Sequence, residues 1–397
     1  MSSKTENADQ LAANPAGDLE PRKGSRLQGV RWYHLVLGAL VIAALFYFNN
    51  QTDGVFLSQR NLTLLLKQAA ILGVVSAGMV VLIISRQIDL SAGMSVYLVS
   101  VVVAQLSVTY GLPVPVAVGA GMLVGLLLGA FQGLMVAKFA IPAFIVTLAG
   151  SMIFKGIGYV WTNATAIGPA PQSLIWISEG YIPPVVSAVA IAAVAALAVW
   201  ATFRRGSRLR RWETSHYGTV RKVSIAVAIA ALGIWVTLGY NGLPMGVVIA
   251  GLTVAAVGLL LSSTSFGRGI YAVGGNPQAA HLAGLRVPRY LFKAFLLMGV
   301  VYGVAGVLMT ARLGGAAPTA GQLLELDAIA AAVIGGTSFA GGIGAIPGAL
   351  LGALLLTGID NAMSLMNVSS FLQMVIKGTI LLAAVWFDLM VRAKRKR

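Results

Sequence analysis

Residues Ser265 to Tyr290 read SFGRGIYAVGGNPQAAHLAGLRVPRY, the longest polar break in the C-terminal half of an otherwise apolar chain. Its centre is written in capping chemistry. Asn276 suits an N-cap, and Pro277 suits the first helical position, where no N–H is needed. Gln278 through Ala283 are mostly good helix formers, and Gly284 suits a left-handed stop. Gly274 and Gly275 let the chain turn sharply before the cap. The spacing predicts a helix of about two turns, too short to be stable alone in water. Ala279, Ala280, Leu282 and Ala283 make it small-sided, suited to a groove on another molecule. The plainer reading is a surface helix that merely links two apolar segments.

The flanking sequence sets the class. Hydrophobic residues are 58% of 397 and charged residues 10%, against about 25% charged in a soluble domain. Runs of roughly 20 apolar residues span a bilayer. Such runs lie at about 32–48, 61–85, 92–109, 115–137, 143–161, 184–203, 223–239, 244–264, 291–310, 326–340, 345–359 and 371–390. The expectation is an all-α, polytopic integral membrane protein with about 12 transmembrane helices and both termini cytoplasmic. Ten or eleven helices stay open, because Glu325 to Ile359 reads either as two short glycine-interrupted spans or as including a re-entrant segment. With twelve crossings, 23 of the 28 Lys and Arg fall on the cytoplasmic side and two, Arg60 and Arg312, outside, as the positive-inside rule requires.

Three parts follow from this pattern. Residues 1–30 form a polar, disordered cytoplasmic tail without the apolar core of a secretory signal. Residues 31–391 form the transmembrane domain, with a basic cytoplasmic loop at 204–222 and the polar loop at 265–290. Residues 392–397 are a basic tail. The net charge of +16 is explained by topology and contact with membrane lipid, not by nucleic acid. There are no cysteines, so disulfides and thiolate chemistry are excluded.

Catalytic patterns are missing. No stretch reads G-x-x-x-x-G-K-[ST], H-E-x-x-H or G-x-S-x-G, and the three histidines, His34, His216 and His281, are scattered. No catalytic, cofactor or metal residue is expected, and the chain is not read as an enzyme. Acidic groups are also scarce within the spans. Glu179, Glu325, Asp327 and Asp360 are expected outside or at outer edges, and only Asp89 at a buried break. Asp89 is read as an N-cap for the third span, or as a group bonding backbone amides or pairing with Arg86. Lys67, Lys155 and Lys377 are expected to snorkel to the interface. With no obvious proton relay, energy for pumping would enter from another subunit.

Ile84 to Gly93, ISRQIDLSAG, echoes Ile334 to Gly342, IGGTSFAGG. Both follow an apolar span and break into small polar residues, the pattern of discontinuous helices near a substrate path. The broken-helix residues are Asp89, Ser91, Gly93, Gly335, Gly336, Thr337 and Gly341. A path for a neutral solute offers amides, hydroxyls and aromatic faces without fixed charge. Gln132, Thr147, Asn163 and Ser338, with Thr337 and Trp161, are candidates; helix-packing polar contacts and an interfacial aromatic belt are the plainer reading.

GRGIYAVGGNPQAAHLAGLRV resembles the cytoplasmic coupling loop of ABC-importer permeases for monosaccharides, the ribose, arabinose and xylose group. The resemblance continues in IISRQIDLSAG, in ELDAIAAAVIGGTSFAGGIGAIPGALLGALLL, in DNAMSLM and in VIKGTILLAAVWFD, and covers most of 51–388 in order. Within the group, the length and the extra basic loop are most like the xylose permease. The resemblance implies a bacterial inner-membrane permease of a homodimeric ATP-driven importer. A cytoplasmic ABC ATPase would bind the ATP and seat Gly274, Gly275, Asn276, Pro277, Ala279, Ala280, Leu282 and Gly284, and a periplasmic binding protein would deliver a pentose. The alternative is a self-sufficient secondary carrier or a passive channel for a small neutral solute.

Overall fold

Inside a bilayer every backbone amide must be bonded within its own segment, so apolar runs of this length become helices. A computed structural model describes residues 45–208 and 216–396. The chain divides into two units, 1–54 and 55–397. In the first, residues 45–51 are helical. The expected tail at 1–30 and most of the first expected span, 32–48, lie outside the described residues, as does the middle of the basic loop.

In the second unit the helices are α1 (Gln59–Ile84), α2 (Ala92–Ala104, extended by a π-helical turn Gln105–Thr109), α3 (Val114–Ala137) and α4 (Ala143–Thr162). Then come α5 (Gln172–Glu179), α6 (Pro184–Arg208), α7 (His216–Gly239), α8 (Met245–Ser263), α9 (Ser265–Gly275) and α10 (Pro277–Leu282). The last four are α11 (Val287–Leu313), α12 (Leu324–Ile334), α13 (Ile346–Leu365) and α14 (Ser370–Lys396). Two short strands, β1 (Tyr181–Ile182) and β2 (Leu243–Pro244), pair antiparallel between α5 and α8. The molecule is an all-α polytopic membrane protein. Eight described helices are long and apolar enough to cross a bilayer, and the apolar stretches Val223–Gly239 and Ser370–Ala383 are shorter.

The basic stretch is less of a loop than expected. Helix α6 continues through Arg208, and α7 begins at His216, so helical backbone enters 204–222 from both sides. The basic C-terminal residues likewise continue α14 to Lys396.

The region 325–359 is asymmetric. Helix α12 has eleven residues, about 16 Å at 1.5 Å per residue against a hydrocarbon core of about 30 Å. It starts beside α13 and α14, where Asp327 meets Lys377. The ordered loop after it reaches the end of α1, where Gly342 N donates to Ile84 O at 2.8 Å. The crossing is therefore half helix and half loop, and α13 returns as a full helix.

Helices α1, α2, α11 and α12 supply most of the core, from Val74 and Ile84 to Val96, Phe295, Val301 and Ala331. Helices α3 and α11 lie backbone to backbone. A Cβ added at Gly125 would stand 2.6 Å from Gly303 N, and one at Gly299 2.7 Å from Gly125 O. Such seams let van der Waals contact hold helices where lipid removes the hydrophobic drive.

Candidate functional site

Helix α10 defines one end of the bundle. Asn276 Oδ1 accepts from Gln278 N and Ala279 N, each at 3.0 Å, and Pro277 occupies the first turn. Gly284 follows at φ +83°. The expected cap and stop are thus where the sequence places them. The preceding stretch is not a loop but the helix α9, which starts where Thr264 Oγ1 accepts from Gly267 N at 3.3 Å. Gly274 and Gly275 are its last residues, so the sharp turn falls at Asn276. Gly274 is small for another reason: an added Cβ would run into the Ile84 carbonyl and stand 2.8 Å from Gly342 N.

The two faces of α10 differ. Ala280 is 5% exposed and packs inward, whereas Leu282 is 87% exposed. A leucine held out on a capped, two-turn helix is an apolar tip without a cover among the described residues.

Behind α10, three breaks meet. Arg86, just past the end of α1, donates from Nε to Gly274 O at 2.6 Å and from Nη2 to Gly275 O at 2.7 Å. A guanidinium there satisfies the last carbonyls of α9 and faces the negative end of its dipole. Gly342, in the loop after α12, donates to Ile84 O. Tyr271 of α9 donates to Gly344 O at 2.7 Å; burial pushes its hydroxyl above the usual range and keeps it a neutral donor. The segments 84–93 and 334–342, which echo each other in sequence, therefore touch, and α9 is bonded to both.

A second constellation lies deeper. Asp89 Oδ1 accepts from Ser91 N at 2.8 Å and Ser91 Oγ at 2.7 Å. Gln132 Nε2 of α3 donates to Ser91 Oγ at 2.5 Å. The Tyr302 hydroxyl of α11 donates to Asp89 Oδ2 and stands 3.1 Å from Gln132 Oε1. The four side chains close a buried ring that ties the α1–α2 break to α3 and α11. Ser91, not Asp89, holds the N-cap position of α2. Asp89 forms a turn two residues earlier: of the alternatives to a cap, it bonds a backbone amide, that of Ser91, and pairs with Tyr302 and not with Arg86.

A family model described as branched-chain amino acid transport system / permease component matches residues 61–385. The chain belongs to this permease family. The permease is similar to the xylose transport system permease protein XylH of Escherichia coli, with 38% identity over 392 residues, 98% of each chain. The Haemophilus influenzae protein of the same name is 40% identical over 360 residues, 90% of the permease and 95% of that protein. The ribose import permease protein RbsC of Escherichia coli is 33% identical over 333 residues, 84% of the permease and 87% of RbsC. No solved structure matches the chain.

The other expected residues of the permease scatter. Gln132 and Thr147 are fully buried; Thr147 Oγ1 donates to Ala143 O at 2.9 Å within its own helix. Ser338 is buried in the α12–α13 loop, where its Oγ accepts from Ala340 N at 3.1 Å. Asn163 ends α4 in the left-handed region, at the opposite end of the bundle from α10. Gly93, Gly335 and Gly341 each lie where a side chain has no room, against Gly321, Gly348 and Gly274 respectively. Gly336 sits at φ +90°, and Thr337 Oγ1 is buried without a partner among the described residues.

The lysines, expected to snorkel, each have a partner in this chain. Lys67, 6% exposed, pairs with Glu179 at 2.7 Å and lies 4.4 Å from the Tyr181 ring centroid. Lys377 bridges Asp327 at 3.0 Å and Asp360 at 2.7 Å. Lys155 lies 5.3 Å from the Tyr159 ring centroid. Partly buried charges pair with one another when opposite charges are within reach, and the acids that supply them stand at distant sequence positions. Sequence reasoning also missed Tyr302 and Tyr271. The available signal was that a tyrosine in an apolar run needs a hydrogen-bond partner once buried.

Proposed function

We propose that the permease is the membrane-spanning subunit of an ATP-driven ABC importer of a pentose, xylose, in the bacterial inner membrane. A periplasmic sugar-binding protein delivers the solute. Two copies of the permease form the channel, each clasped on the cytoplasmic side by an ABC ATPase that binds the ATP. The relatives' names support the substrate class. The observation that carries the motor's position is α10: a capped helix with an exposed leucine, bonded through α9 to both broken helices.

In this reading the ATPase receives Leu282 and its neighbours and moves α10. Arg86 and Tyr271 pass that movement to the α1–α2 and α12–α13 breaks. The Asp89–Ser91–Gln132–Tyr302 ring holds the helices together until it is pulled. Of the polar residues expected along the route, Asn163 is open to solvent. Gln132, Thr147 and Ser338 are reached only when the surrounding helices part.

The Lys377–Asp327–Asp360 cluster is the observation that favours the rival, a self-sufficient carrier, because intramembrane acids serve coupling ions in such proteins. Proteoliposomes separate the two. With the ATPase, binding protein and ATP present, radiolabelled xylose is taken up; permease alone under an imposed proton or sodium gradient takes up none. Uphill uptake by the permease alone would overturn the importer reading.

A further inference from the structure

At the end opposite α10 lies a cavity of about 350 Å³ between the π-helical turn that closes α2 and the left-handed stop of α4. Its polar lining includes Gln105, Thr109, Thr162, Asn163 and Thr165, and its largest aromatic wall is Trp161. No charged residue lines it. Three polar groups face it with capacity to spare. The Asn163 amide and the Thr109 hydroxyl make no hydrogen bond among the described residues, and Gln105 uses only Nε2, in a 3.4 Å contact with Trp161 O.

We infer that this cavity is a monosaccharide subsite at the outer mouth of the permease, the first place a neutral sugar touches the channel. The inference rests on the importer reading and adds a location to it. Small-molecule sites run from about 300 to 1,000 Å³ and combine apolar or aromatic walls with a few placed polar groups. At the bottom of that range the cavity admits one sugar ring and not two. A sugar hydroxyl both donates and accepts; two amides and a hydroxyl answer both needs, and an indole face takes the ring's C–H side. A site for an anion or a metal would carry charge, and this one has none.

The local backbone is built for the opening. Single π turns in α-helices are frequent at functional sites. Asn163 and Ala164 are both left-handed, at φ +51° and +52°, which bends the chain away from α4. The loop beyond, whose residues 165–168 form part of the lining, is fixed by the stretch after α11: Ile167 N donates to Ala316 O at 2.8 Å, Ala316 N returns to Ile167 O at 2.9 Å, and Ala170 N donates to Gly314 O at 2.8 Å. The same 314–323 stretch leads directly into α12. Occupation of the cavity is thus one chain segment away from the half-helical crossing.

Because the chain has no cysteine, a single introduced thiol reports on the cavity without background. Val108→Cys and Ala166→Cys place one on each wall, at lining positions that are not among the groups assigned to the sugar. Gln322→Cys is an exposed control outside the cavity. Each variant, in the assembled complex in proteoliposomes, is labelled from outside with a membrane-impermeant maleimide in D-xylose or in mannitol at equal tens-of-millimolar concentration. Xylose slows labelling of the first two about threefold or more and leaves the control unchanged. Equal rates in the two solutes at both cavity positions overturn the subsite, whatever uptake shows. Absence of ATP-driven xylose uptake by the parent complex overturns the importer reading, whatever labelling shows.

Discussion

The two ends of the bundle are built on opposite principles. At the α10 end, main chain meets main chain: Gly274 lies against Ile84, Gly341 against Gly274, and Gly342 bonds to Ile84. No Cβ has room at Gly274 or Gly341, and the Arg86 guanidinium ties the same segments, so displacement of one segment displaces the others. At the opposite end side-chain ion pairs, Lys67–Glu179 and Lys377–Asp327/Asp360, stand beside the short main-chain bridges at Ile167–Ala316 and β1–β2, and a solvent-open cavity lies beside α4. Backbone contact transmits force because it has no slack. Side-chain contact adapts because rotamers can change. An importer of the proposed kind needs the first where the motor grips and the second where the solute enters.

The sharpest way to break this comparison is to add bulk at the α10 end. Gly274→Val drives a branched side chain into the Ile84 carbonyl. Binding-protein-stimulated ATP hydrolysis by the reconstituted complex falls about a hundredfold or more, because interior overpacking against backbone costs several kcal/mol. Gly119→Val, at a position with nothing within 4 Å, leaves it within twofold. If Gly274→Val couples normally, the tight junction has no role in coupling.

Next in size are two changes on α10 itself. Ala280→Arg places a charge at a buried position, and Gly284→Pro removes both the left-handed stop and a backbone donor to His281 O. Both variants insert in the membrane and lose co-purification with the ATPase. Retention of the partner by both removes the docking assignment.

Tyr302→Phe leaves Asp89 Oδ2 without its donor and opens the buried ring. An orphaned buried acceptor costs about 2 kcal/mol, read as a lower unfolding midpoint in detergent. An unchanged midpoint would show that the ring holds nothing together. The smallest expected effect is at the adaptable end. Lys377→Met removes a cation shared by two partly exposed carboxylates, and solvent screens most of the loss, so about 1 kcal/mol is expected. A loss as large as that of Tyr302→Phe would erase the distinction between the ends.

What was legible in the sequence divides along similar lines. The cap at Asn276, the stop at Gly284 and the long spans are local features, set by residues within a turn or two of each other. The partners of Asp89, Lys67 and Lys377 stand 213, 112 and 50 or fewer residues away, and no periodicity reports such pairings. Gly274 shows the same limit from another side. Its sequence context suits a turn, whereas its use is the close passage of α1, visible only when the backbone of another element is in place. The half-helical crossing was legible as an irregularity at 325–359, because glycine interrupts the apolar run, but its shape depends on Ile84 and Gly274.

That crossing also bears on how the protein holds together in lipid. Eleven residues, two of them the acids Glu325 and Asp327, are too few to settle in lipid by themselves, and a loop such as 335–345 is tolerated at that depth only with a protein wall around it. Helix α12 therefore holds its place only against its neighbours α1 and α13, and the crossing is complete only when both are present. The stretch that the importer reading sets in motion is the one least able to stand in lipid alone.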